Sequence, residues 1–138
     1  MVEELKQWLL SSNLIQEKFG LKEKDFNTDF LDYKKNISLQ IEPGRIVNAY
    51  IGGDKEIEQP FRLFYRVMNA DNKRRNTIIT DLNMIGEWVN TQKEMPSLGE
   101  NIKVSKIECS STASILEMDD KSTTYQIQFN INYEITKG

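Results

Sequence analysis

The stretch TTYQIQFNINYEI, residues 123–135, constrains the fold more than any other part of the chain. From Tyr125 onward, Tyr125, Ile127, Phe129, Ile131, Tyr133 and Ile135 fall on one side, and Gln126, Gln128, Asn130, Asn132 and Glu134 on the other. Unbroken alternation is the signature of a strand with one buried face. At ~3.3 Å per residue this strand runs roughly 35 Å, past the usual length of about five or six residues. A strand so long needs a sheet beside it and a cover for its apolar side. Its other side is nearly all neutral amides, which both donate and accept hydrogen bonds and are covered at less cost than charges. That chemistry suits a surface wet in one state and covered in another, as at a subunit interface. A plain exposed or helix-covered sheet face explains it equally well.

The rest of the chain supplies the partners. Residues 2–18 read as a helix with Leu5, Leu9, Leu10 and Trp8 on its apolar stripe, Ser11-Ser12-Asn13 as an interruption or the cap of a second turn beginning at Leu14, and Gly20 as a C-terminal cap. Residues 21–33 are irregular or a short helix, with Phe26, Phe30 and Leu31 scattered among charges. Ile37, Leu39 and Ile41 make a short strand that Pro43-Gly44 stops with a turn. A second strand follows over 45–51, then Gly52-Gly53-Asp54 turns the chain into FRLFYRVMN, with Pro60 just before that strand's start. Asp71 or Asn72 caps a helix over about 73–92, whose stripe is Ile78, Leu82, Ile85 and Val89. Ile102 and Val104 begin another strand, but Ile107 and Cys109 are out of phase with them, so a bulge near Ser105 or Lys106 is expected. Ile115-Leu116 form a short strand, and Asp119-Asp120-Lys121 connects it to the long one. Strands in neighbouring groups with short turns predict an α+β fold. The expectation is a single domain over 1–138, a mostly antiparallel sheet of four to six strands packed against two main helices, with sheet and main helix within about 36–138.

Composition excludes more than any motif establishes. The chain of 138 residues has no histidine, which removes Ser-His and Cys-His nucleophile pairs, a histidine base and nearly every zinc site. Cys109 is the lone cysteine, so no intrachain disulfide forms and synthesis in a reducing compartment is expected. A net charge of −3 argues against nucleic-acid binding by the whole surface. No stretch approaches the ~20 apolar residues of a membrane span, and Met-Val-Glu-Glu-Leu-Lys does not begin a secretory signal.

The candidate sites are correspondingly few. Asp119-Asp120 with Glu117 matches no calcium-loop spacing and reads as a solvated hairpin tip. Gly52-Gly53 is a turn rather than a phosphate cradle, and Ser110-Ser111-Thr112 has no base nearby. No catalytic, cofactor or metal residue is assigned, and no enzymatic activity is expected. Lys73-Arg74-Arg75 places three cations at a helix start, against the local dipole. With Arg62 and Arg66 on the preceding strand they could form a basic surface; alternatively, Asp71 and Asp81 balance the triplet, and the two strand arginines pair with glutamates of neighbouring strands.

From about Tyr50 onward the order of features resembles the small tail terminator and minor capsid proteins of long-tailed bacteriophages, particularly those of Gram-positive hosts. The features are FRLFYRV, then Asn69-Ala70-Asp71-Asn72 leading into a helix with Trp88, then Met95-Pro96-Ser97-Leu98, a strand over 102–110 and the closing YQIQFNINYEI. The match is one of pattern over roughly two thirds of the chain, without a diagnostic motif. The resemblance implies a hexameric ring that caps the tail tube, stops its growth and offers a joining surface to head connector proteins. Phage DNA would pass through its centre without sequence recognition. It implies a place in the virion at the head-proximal end of the tail, after synthesis in a host bacterium's cytoplasm from a phage or prophage, with no cofactor and no membrane partner. Under it, Arg62, Arg66, Lys73, Arg74, Arg75, Gln126, Gln128, Asn130 and Asn132 are candidate subunit or channel contacts. A head-completion or connector protein, and a small cytosolic protein-binding module, are the alternatives.

Overall fold

In the computed structural model, residues 1–28 and 36–137 are described. The organising unit is a pair of fourteen-residue strands, β4 (Lys55–Met68) and β7 (Ser122–Ile135), antiparallel and in register from Lys55 opposite Ile135 to Met68 opposite Ser122. The alternating stretch lies within β7. Its odd-numbered residues are buried from Tyr125 to Tyr133, and Phe61, Leu63, Tyr65 and Val67 of β4 join them. Phe61 and Phe129 stack at the centre, with ring centroids 4.8 Å apart and planes 8° from parallel.

Each long strand is flanked by a broken one. β2 (Asn36–Ile41) and β3 (Arg45–Ala49) both run antiparallel to β4, β2 against Phe61–Arg66 and β3 against Lys55–Glu58. β5 (Ile102–Cys109) and β6 (Ser114–Met118) do the same along β7. Pro43-Gly44 therefore interrupts an edge without reversing the chain, contrary to the expected turn. The reversal comes later, at Tyr50–Asp54, where Gly52 and Gly53 have φ of 105° and 99°, open to glycine at no steric cost.

Pro60 lies inside β4 rather than before it. Its carbonyl accepts from the Glu42 N–H at 3.0 Å, so the side on which it lacks a donor faces the break between β2 and β3. β1 (Phe26–Thr28) adds a parallel edge to β2, so the sheet begins earlier than residue 36 and has, among the described residues, seven strands rather than four to six. Of the irregular stretch expected at 21–33, residues 29–33 lie outside the described residues, Phe30 and Leu31 among them.

Among the described residues, three α-helices cover the apolar face. The N-terminal helical stretch is two helices, α1 (Val2–Leu10) and α2 (Leu14–Phe19), the second beginning at Leu14 after the Ser11-Ser12-Asn13 break as one of the two sequence readings had it. Ser12 Oγ donates to the Leu9 carbonyl at 2.9 Å and accepts from the Leu14 N–H, while Asn13 takes a left-handed φ of 62°, which its short polar side chain tolerates. Leu5, Leu9 and Leu10 are buried as the stripe requires. α3 (Asn72–Thr91) starts at Asp71, whose carboxylate accepts from the Arg74 N–H, and buries Ile78, Leu82, Ile85 and Val89. Trp8 and Trp88 meet at 4.9 Å and join α1 to α3, and Phe19 meets Tyr65 at 4.7 Å. The expected bulge is present at Ser105, where register shifts between Val104 and Lys106 and Ile107 returns to the core.

α3 approaches the sheet closely at Gly86. A Cβ there would stand 2.8 Å from Cys109 Sγ and 3.1 Å from Ile127 Cδ1. Alanine would gain about 1 kcal/mol of helix propensity, but overpacking costs about 1–3 kcal/mol. Gly86→Ala is therefore expected to lower stability by about 1 kcal/mol net in urea unfolding. Adding Cys109→Ala should recover most of that loss; a strictly additive double mutant would contradict the contact.

Candidate functional site

The even-numbered residues of β4 and β7 form a largely polar face, with Phe64 buried within it, and none of the described α-helices packs on it. Across it, rows follow from the strand register: Arg66 beside Thr124, Phe64 beside Gln126, Arg62 beside Gln128, Pro60 beside Asn130, Glu58 beside Asn132 and Glu56 beside Glu134. The amides Gln126, Gln128, Asn130 and Asn132 are half-buried.

The charges on this face are mostly matched. Arg62 is ion-paired through Nε to Glu42, donates through Nη1 to Gln126 Oε1 at 3.1 Å, and lies over the Phe64 ring. Arg66 Nε donates to Thr124 Oγ1 at 3.1 Å. Arg45 pairs with Glu58 at 2.9 Å and, with a further hydrogen bond from Asn130, holds that carboxyl below its usual range. Lys106 pairs with Glu108 at 3.0 Å. Thus Arg62 pairs with a carboxylate beside the neighbouring strand, one of the two readings its position allowed.

The Lys73-Arg74-Arg75 triplet is not brought together with Arg62 and Arg66. It sits on α3, on the opposite side of the sheet. Lys73 and Arg74 are exposed, and Arg75 donates to Asn72 Oδ1 at 2.8 Å. The acidic tip is a tight turn: Asp119 Oδ1 accepts from the Lys121 and Ser122 N–H groups at 2.8 and 2.7 Å, and these bonds hold its carboxyl below the usual range. Among the described residues no group of three or more His, Cys, Asp or Glu is placed to hold a metal ion.

An open groove of about 540 Å³ lies between α3 and the β5–β6 break, lined by Asn83, Gly86, Glu87, Asn90 and residues 109–112. Its polar groups serve the backbone. Asn90 Oδ1 accepts from the Cys109 N–H and Asn83 Oδ1 from the Ala113 N–H, each at 2.8 Å. Burial pushes the Cys109 thiol pKa up, which keeps it protonated and weak as a nucleophile. Ser111 Oγ accepts from the Gln128 N–H, so that hydroxyl also serves the fold.

Two features escaped the residue-level reading. β3 and β6 are exposed along their whole length, and they leave Ile46, Val47, Ile115, Leu116 and Met118 between 39% and 55% exposed. Their sequences, RIVNA and SILEM, are short apolar runs with a single charge each. That scarcity of charge was the available signal, since edge strands are ordinarily guarded by several.

No family model and no curated protein matches the chain. Among solved structures, the fold is similar to that of a chain in the virion of a native gene transfer agent particle, with a TM-score of 0.61 over 94% of this chain and 91% of that one, at 10% sequence identity. Among the described residues, no helix is long and apolar enough to cross a membrane.

Proposed function

We propose that this chain is a structural component of a phage-like virion, and specifically a tail terminator. The observation that carries the reading is the likeness in fold, over nearly the whole of both chains, to a component of a gene transfer agent virion. The particular role is supported by the order of features from Tyr50 onward, and by the weakly guarded edge strands β3 and β6 on opposite margins of the sheet. In this reading six copies close a ring on the head-proximal end of the tail tube, stop its growth and present a surface to the head connector. No catalytic step is involved.

The polar sheet face fits the passage of DNA through such a ring. Its arginines and lysines are largely offset by neighbouring carboxylates, and its remaining groups are amides. Phosphate backbone is held where uncompensated cations accumulate; a matched, amide-rich wall lets it slide. Arg62, Arg66, Gln126, Gln128, Asn130 and Asn132 are thus channel-wall candidates, and Lys73, Arg74 and Arg75, on the other side, are candidates for contact with neighbouring virion proteins.

Particle assembly with the chain left out tests the reading. Over-long tail tubes and unjoined heads are expected, with both corrected when purified protein is added back. Tails of normal length beside heads that lose their DNA would instead indicate head completion. Normal particles would remove the chain from the virion and favour a binding module.

A further inference from the structure

We propose that β3 of one copy pairs edge-to-edge with β6 of the next, continuing the sheet from subunit to subunit. This rests on the ring-forming reading and names the contact that would build the ring. Unpaired edges are templates for another strand unless something guards them. β1 covers β2. β5 carries Lys103, Lys106 and Glu108. β3 and β6 have one charge each, beside exposed apolar residues.

The two edges are complementary in direction, face and charge. β3 and β7 both run antiparallel to β4, and β6 runs antiparallel to β7, so β3 and β6 have opposite directions on opposite margins of the sheet. A second copy placed beside the first in the same orientation therefore meets it in antiparallel pairing. Arg45 lies beside Glu58 and Asn48 beside Glu56, which puts both on the polar face; Ser114 beside Gln126 and Glu117 beside Thr124 share that face. Ile46 and Ile115 lie on the helix side, opposite Ile57 and Tyr125.

Both strands break register at one residue, Val47 in β3 and Leu116 in β6. Paired antiparallel, Arg45 meets Glu117, Ile46 and Val47 meet Leu116 and Ile115, and Asn48 meets Ser114. Opposite charges face each other, apolar meets apolar, and each group stays on its own side of the sheet. A contact between two different patches of the same chain is head-to-tail, the kind that closes into rings when the rotation allows. β6 lies against Thr123–Gln126, and β3, through β4, against Asn132–Ile135. Neighbouring copies are thus staggered by about nine residues, roughly 30 Å, a shear of the kind a closed sheet requires.

The test uses the full chain with and without tail tubes, followed by native mass spectrometry and oxidative cross-linking. In a Cys109→Ala background, Ile46→Cys with Ile115→Cys is expected to give a covalent ladder that ends at the ring. Arg45→Glu alone and Glu117→Arg alone should each raise the concentration for half-assembly about tenfold or more, and the double reversal should restore it. Both charged residues are exposed, and far-ultraviolet circular dichroism verifies that each variant is folded. Rings that form without a ladder, and single reversals without effect, would overturn the edge pairing and leave the ring reading standing. Absence of any ring from the unaltered protein, even on tail tubes, would overturn both.

Discussion

Phe129→Ala is expected to lower the unfolding free energy by about 3–5 kcal/mol, read from urea unfolding at neutral pH. Phe129 is fully buried and lies directly opposite Phe61, itself fully buried, in the central pair of strands. Truncation removes the apolar area of a whole ring. It leaves a cavity between two strands that their register and the helices above hold apart, so little collapse can fill it. Small domains are stable by about 5–15 kcal/mol in total, and the variant should sit near the limit of folding at physiological temperature. Phe129→Leu keeps most of the volume and should lose substantially less. A loss below about 1 kcal/mol for the alanine variant would mean that the sheet centre is not the core.

The second large effect appears at alkaline pH. Burial pushes the Tyr65 phenol from 10 up to about 12, partly opposed by nearby Arg74, and burial also raises Tyr125 and Tyr133. Between those two values the unfolded chain has released a proton that the folded chain retains. The folded state then binds more protons, so stability falls as pH rises. The contribution is fully present below pH 10 and is lost through about 12. Two pKa units correspond to about 2–3 kcal/mol for Tyr65. Tyr65→Phe should flatten the fall between pH 10 and 12 in urea unfolding. An equally steep fall in that variant would place the alkaline sensitivity elsewhere.

How much of this was legible in the sequence depends on how far apart the deciding residues lie. The long strand and the stripe of α3 were readable because burial of one face imposes a period on neighbouring residues. The Ser105 bulge was readable for the same reason, since Ile107 falls out of phase. Pro43-Gly44 and Pro60 were misjudged because their roles depend on each other. A turn signal cannot distinguish reversal from interruption unless the partner strand is known to span both sides, and Pro60 is tolerated inside β4 because the break in the adjoining edge lies opposite it. Phe26–Thr28 is a strand through its pairing with β2, and three residues carry no period of their own. At the candidate site, the amide row was legible, but Glu42 as the partner of Arg62 was not. Separation of Arg62 and Arg66 from the α3 triplet required the helix to be placed against the opposite face.

The most direct measurement is native mass spectrometry over a concentration series, with negative-stain images of the same samples, alone and after addition of purified tail tubes. A closed six-copy species with an open centre, free or seated on tube ends, is expected. A strict monomer at every concentration, with tube ends left bare, would contradict the ring reading.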